Sequence, residues 1–115
     1  MKPHLHKIHS PDVADVTTYS PADSSFAVLF QLFVGPTEDR AAEESFDLVV
    51  CSPEWLRQAD QPVIGRHLII VNNYDYEELE EFIRSVLGTY EGRDWPELAS
   101  KIARLGRWEF EDYTE

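Results

Sequence analysis

The sequence predicts an α+β fold: a mainly antiparallel sheet of about five strands with two or three helices packed on one face. Three observations lead there. Apolar runs of strand length precede any long helical period, so hairpins rather than alternating βαβ units organise the first half. Two amphipathic segments with similar capping signals follow in the second half. A short aromatic segment of alternating pattern then closes the chain. With 115 residues, 43% of them hydrophobic, the chain fits one domain spanning residues 1–115, with a core that needs neither metal nor disulfide.

The first strand is KPHLHKIH, residues 2–9, placed at a sheet edge because Lys2, Pro3 and Lys7 are edge-protecting residues. The following stretch, SPDVADVTTYSPADSS, is rich in Ser, Pro, Asp and Thr and reads as a long loop. FAVLFQLFVG, residues 26–35, carries Phe26, Val28, Phe30, Leu32 and Val34 on one face and Ala27, Leu29 and Phe33 on the other. A short run this apolar on both faces belongs inside a sheet, and Gly35-Pro36 stops it. SFDLVVCS, residues 45–52, alternates Phe46, Leu48 and Val50 and pairs with the preceding strand as an antiparallel hairpin.

Ser52 caps a short helix, SPEWLRQ, with Pro53 in its first turn. RHLIIV, residues 66–71, follows Gly65 as a fourth strand. DYEELEEFIRSVL is the clearest helix: Asp75 caps it, and Glu78 completes a capping box. Its apolar stripe is Tyr76, Leu79, Phe82, Ile83, Val86 and Leu87, with Glu77, Glu78, Glu80, Glu81 and Arg84 opposite. DWPELASKIARLG repeats the design with Asp94, Pro96 and Glu97 at its start, a Trp95, Leu98, Ala99, Ile102 and Leu105 stripe, and Gly106 as its stop. The last strand, RWEFEDY, puts Trp108, Phe110 and Asp112 on one face, the two aromatics anchoring it on the core. Arg107, Glu109, Glu111 and Tyr113 then face outward.

Charge narrows the function. Ten Lys and Arg against 22 Asp and Glu give a net charge of −12. Such a field repels phosphate backbones, anionic lipid and acidic substrates, so nucleic acid and membrane surfaces are not the expected partners. A basic protein is. No run approaches the roughly 18 apolar residues of a membrane span, and the N-terminal residues lack the apolar stretch of a signal peptide. Cys51 is the sole cysteine, so a reducing, cytoplasmic setting is expected, with Cys51 as a small buried hydrophobe.

Catalytic signatures are sparse. The chain has no Gly-rich phosphate loop, GxSxG, HExxH or CxxC, and no cofactor is expected. His4 and His6 share one face of the first strand, with His9 opposite. Together with a carboxylate, His4 and His6 support one alternative, a small metal-dependent hydrolase. A self-associating adaptor, joined through apolar strand edges, is another. Arg66 beside Gly65 suits either a bidentate grip on a ligand carboxylate or an internal ion pair with a tail carboxylate. The acidic residues Glu77, Glu78, Glu80 and Glu81, with Glu109 and Glu111, are the candidate platform for a basic partner. Tyr76 and Tyr113 are candidate aromatic contacts.

KIHSPDV, LFQLFVGP, ESFDLVVCSPEWL, GRHLIIVNNYDY and DWPELASKIARLGRWEFEDY together resemble the immunity protein 8 family of bacterial polymorphic toxin systems, from about Ile8 to Tyr113. The resemblance implies an α+β fold marked by phenylalanines and a Gly-Arg pair, here Phe46, Phe110, Gly65 and Arg66. It implies an antitoxin that binds and blocks a cognate toxin, and it supplies no catalytic residues. The acidity of this chain points to a basic toxin such as a nuclease.

Overall fold

The computed structural model describes residues 1–111. Along the chain run β1 (Pro3–His9), β2 (Ala27–Pro36), β3 (Glu44–Cys51), α1 (Pro53–Arg57), β4 (Leu68–Ile70), α2 (Tyr76–Leu87), α3 (Trp95–Ile102) and β5 (Arg107–Trp108). The five strands form one sheet in the order β1-β2-β3-β4, with β5 also paired to β3. The α+β class, the edge position of β1 and the β2–β3 hairpin are as the sequence predicts.

Burial follows the alternation of side chains along a strand. Val28, Phe30, Leu32 and Val34 of β2, with Phe46, Leu48 and Val50 of β3, are buried in one cluster. Leu79, Ile83 and Leu87 of α2 and Leu98, Ala99 and Ile102 of α3 enter the same cluster. The alternate β2 residues Ala27, Leu29, Gln31 and Phe33 are half-buried. In β1, Leu5 pairs with Val34 and Lys7 with Phe33, so His6 is the extra residue of a bulge. The bulge resets the alternation and lets Leu5 and Ile8 both pack on the core. At Gly35 the chain passes so close to its neighbour that a Cβ would lie 1.8 Å from the Ala42 carbonyl oxygen, which only glycine permits.

Two elements are shorter than the sequence reading, β4 at Leu68–Ile70 within the expected 66–71 and the last strand, and the direction of β4, left open there, is now fixed. β4 lies parallel to β3, Val49 against Leu68 and Cys51 against Ile70, because the segment around α1 acts as a crossover. Among the described residues the last strand is Arg107–Trp108, and it does not continue through Glu111. β5 runs antiparallel to β3, so its continuation beyond Trp108 lies toward Ser45 and Glu44, away from the Val49–Cys51 stretch that β4 occupies. Beyond Trp108 the chain turns, the Glu111 N–H donating to the Trp108 carbonyl at 2.9 Å. Phe110 is consequently 42% exposed, packed edge-on against Trp108 instead of on the core. Asp112 and Tyr113 lie outside the described residues.

Helix ends follow from their caps. Asp75 Oδ1 accepts the Glu78 N–H at 3.2 Å, and Asp94 Oδ1 accepts the Glu97 N–H at 3.0 Å. Ser52 Oγ accepts the N–H of Trp55 in α1 and also that of Phe26, so one buried hydroxyl ties the helix start to the sheet. Among the described residues no helix is long and apolar enough to cross a membrane.

Candidate functional site

One turn of helix, about 3.6 residues, decides what α2 shows to its surroundings. Leu79, Ile83 and Leu87 point into the core. Glu77, Glu78 and Glu81 lie on the exposed side. Among the described residues none of these three has an ion-pair partner, whereas Glu80 is held by Arg84 at 3.3 Å. The Glu78 backbone is capped by Asp75, but its side chain makes no return bond, so the carboxylate remains available at the surface. Tyr76 is half-buried and packs against Phe30 at 6.5 Å between ring centroids, and burial raises its phenol above the usual range. It is a packing residue first.

Phe82 belongs to the sequence's apolar stripe but sits about a quarter turn away from Ile83, and it is 50% exposed. Next to it, Ile70 on β4 is 55% exposed. Between them runs a cleft of about 250 Å³, floored by Ile69 and Leu79 and lipped by Asp75 and Glu78. Sequence reasoning missed this cleft. Its one available signal was the width of the α2 stripe, which spans more than the contact face of a single helix.

The C-terminal carboxylates are arranged differently. Glu109 Oε1 accepts the Ser45 N–H at 3.1 Å, and the Glu109 N–H donates to the Ser45 carbonyl. Glu111 pairs with Arg66, the internal ion pair foreseen for that arginine. Trp108 stacks on Phe46 at 6.3 Å, and its indole N–H donates to Glu44 Oε1 at 2.7 Å. Glu109 and Glu111 therefore hold the tail on the sheet through Ser45 and Arg66. Beside them, Asp47 titrates above the usual carboxylate range, first from burial and then from the Glu109 charge.

The Gly65-Arg66 pair acts through its neighbours. A Cβ at Gly65 would meet only Leu68 Cδ1, at 3.9 Å, so space does not demand glycine there. The unusual backbone is at His67, whose φ of 62° lies in the left-handed region. Its ring Nε2–H donates to the Ala103 carbonyl at 2.7 Å, and its own carbonyl accepts the Val49 N–H. Arg66 thus ties the tail, and His67 ties the end of α3, at the point where β4 begins.

The remaining candidates are quickly placed. The His4 and His6 rings meet edge-to-face at 4.7 Å. The Arg40 guanidinium reaches the His4 ring, and burial followed by that charge lowers the His4 pKa. His6 Nε2 is buried without a hydrogen-bond partner. Among the described residues no three His, Cys, Asp or Glu side chains gather as a metal site. Cys51 is fully buried, and burial raises its thiol pKa, as suits a packing residue.

Ile70 and Phe82 are thus exposed apolar side chains beside the Asp75 and Glu78 carboxylates. The fold defines a class, a small α+β protein. The chain belongs to the immunity protein 8 family, whose model matches residues 4–113. No curated protein and no solved structure matches it.

Proposed function

We propose that this chain is a stoichiometric inhibitor that binds a cognate toxin domain and blocks it without turnover, and that the toxin is basic, as a nuclease is. Membership of an immunity family supplies the general role. The observation that carries the finer reading is the row of unpaired carboxylates, Glu77, Glu78 and Glu81, on a chain of net charge −12. An uncompensated acidic surface speeds encounter with a basic partner and deters nucleic acid and anionic membranes. A nuclease surface is itself shaped to attract phosphate, so its charge is complementary. The chain acts as one domain in the reducing cytoplasm, where Cys51 stays a thiol. Glu80, Glu109 and Glu111 contribute to the field, although their partners hold them in place.

A pull-down from the native host with tagged protein, at low and high salt, tests this. One stoichiometric partner bearing a toxin domain, weakened at high salt, is the expected result. The same partner retained at high salt keeps the inhibitor and removes the electrostatic part. Recovery of no toxin-bearing partner at either salt contradicts the inhibitor reading.

A further inference from the structure

β4 is an edge strand. Val49 donates to the His67 carbonyl, and Val71 donates to the Cys51 carbonyl, each at 2.9 Å. In a parallel pair the residues that bond a neighbour alternate with residues whose main chain points away. His67, Ile69 and Val71 therefore face β3, and the N–H and C=O groups of Leu68 and Ile70 face outward. No strand among the described residues lies on that side. Proteins usually protect such an edge with lysine, proline or a covering loop. Here the strand is LII, without any charge.

The surroundings say what the edge can accept. Immediately beside it the cleft presents Ile70 and Phe82, each at least half exposed. The lip beyond is anionic, with Asp75 and Glu78, and among the described residues no Lys or Arg lines the cleft. Glu78 and Phe82 are one helical turn apart and share a face. A ligand lying along β4 would thus meet hydrogen-bonding main chain, then an apolar slot, then negative charge.

We propose that the open edge of β4 and the adjoining cleft receive an extended segment of the toxin, added to the sheet as a further strand. The segment carries an apolar residue with Lys or Arg two positions away on the same face: the apolar residue enters the slot between Ile70 and Phe82, and the Lys or Arg meets Asp75 and Glu78. Edge pairing supplies affinity through main chain, and the slot and lip supply the specificity. A second copy of this chain is a poor occupant, because it would bring another acidic lip and another charge of −12 to the same place. The proposal rests on the inhibitor reading above and adds the place and chemistry of contact.

The test uses the full chain and, as probe, the purified toxin domain recovered in the pull-down. Hydrogen exchange of the Leu68 and Ile70 amides is followed by NMR with and without the probe. Both amides are expected to slow about tenfold or more on binding. Phe82→Asp changes an exposed position, and Ile70→Pro removes an outward N–H while leaving the β3 ladder intact. Each is expected to weaken binding about tenfold or more, with circular dichroism and thermal melting like wild type. Should the proline variant fold poorly, Phe82→Asp and the exchange data decide alone. Unprotected amides with undiminished affinity of Phe82→Asp overturn this docking mode while leaving the inhibitor standing. Protection of the same amides by self-association, in the absence of toxin, also overturns it. Absence of any toxin-bearing partner overturns both.

Discussion

The α2 helix and the C-terminal segment are both acidic and aromatic, yet their charges are held in opposite ways. At the C-terminus Glu44 holds the Trp108 indole, Glu109 holds the Ser45 amide and Glu111 holds Arg66. On α2, Glu77, Glu78 and Glu81 have no ion-pair partner among the described residues, and Phe82 stands exposed beside them. Acidity in a sequence therefore carries two meanings. Where carboxylates find donors inside the fold they fasten a segment, and where they find none they stay at the surface as uncompensated charge. Neither composition nor spacing separates the two cases.

The comparison is most easily broken at the aromatics. Trp108 stacks on the fully buried Phe46. Trp108→Ala is expected to cost about 3 kcal/mol of stability, measured by urea unfolding. Phe82→Ala, at a half-exposed site, is expected to change stability by about 0.5 kcal/mol or less. Equal losses would mean that Phe82 is a core residue and the contrast false.

Charge reversal gives the next largest effect. Glu77→Lys, Glu78→Lys and Glu81→Lys together are expected to slow toxin association about tenfold, with the melting temperature nearly unchanged. Glu80 is left intact because it engages Arg84. Reversal of Glu109 and Glu111 is expected to do the reverse, lowering stability while changing association little. The rates come from stopped-flow at low ionic strength, where the difference is largest.

Why the sequence disclosed one half of this contrast and hid the other is a matter of range. Asp75 and Asp94 cap their helices through residues three positions on, so both ends were readable locally. The alternation grouped Val28, Phe30, Leu32 and Val34 on one face of β2, and that face is the buried one. Arg66 near a strand start suggested a tail carboxylate, and Glu111 is that carboxylate. The parallel setting of β4 was not readable, because LII pairs equally well in either direction and the crossover through α1 carries no distinctive pattern. The turn after Trp108, closed by the Glu111 N–H on the Trp108 carbonyl, was not readable either, and it leaves Phe110 partly exposed. The candidate site suffered most. Its carboxylates were counted correctly, but whether each had a partner depended on contacts some 64 residues apart, such as Glu109 to Ser45.

Tyrosines sharpen the picture at the start of α2. Tyr74 donates its hydroxyl to the Val16 carbonyl at 2.7 Å and is raised from 10.0 to about 12, chiefly by burial. Its folded pKa exceeds the unfolded value, so the stabilisation is complete below pH 10 and is lost as pH rises through about 12. Tyr74→Phe is expected to cost about 1 kcal/mol at neutral pH. The variant should also lose less stability than wild type between pH 10 and 12, as thermal melts across that range will show. Parallel pH curves would mean that Tyr74 is not held protonated by the fold.

Asp47 tests the C-terminal side of the comparison, since among the described residues it is a carboxylate beside the tail that fastens little. Its Oδ1 is buried without a partner, and Glu109 lies close enough to oppose its ionisation. Nearby Arg107 and a hydrogen bond with Gln31 offset only part of this. Because its folded pKa is raised, the fold favours the protonated acid. Its contribution is therefore most favourable below the ordinary value of 3.8 and falls as pH rises through the folded value. At neutral pH the charge is a liability, and Asp47→Asn should raise stability by about 0.5–1 kcal/mol. Below pH 3.8 the gain should vanish, because wild type is then neutral as well. A loss at neutral pH would place Asp47 with Glu109 and Glu111 as a fastening residue. A gain would mark it as charge retained against stability, on a sheet face where a basic partner could neutralise it.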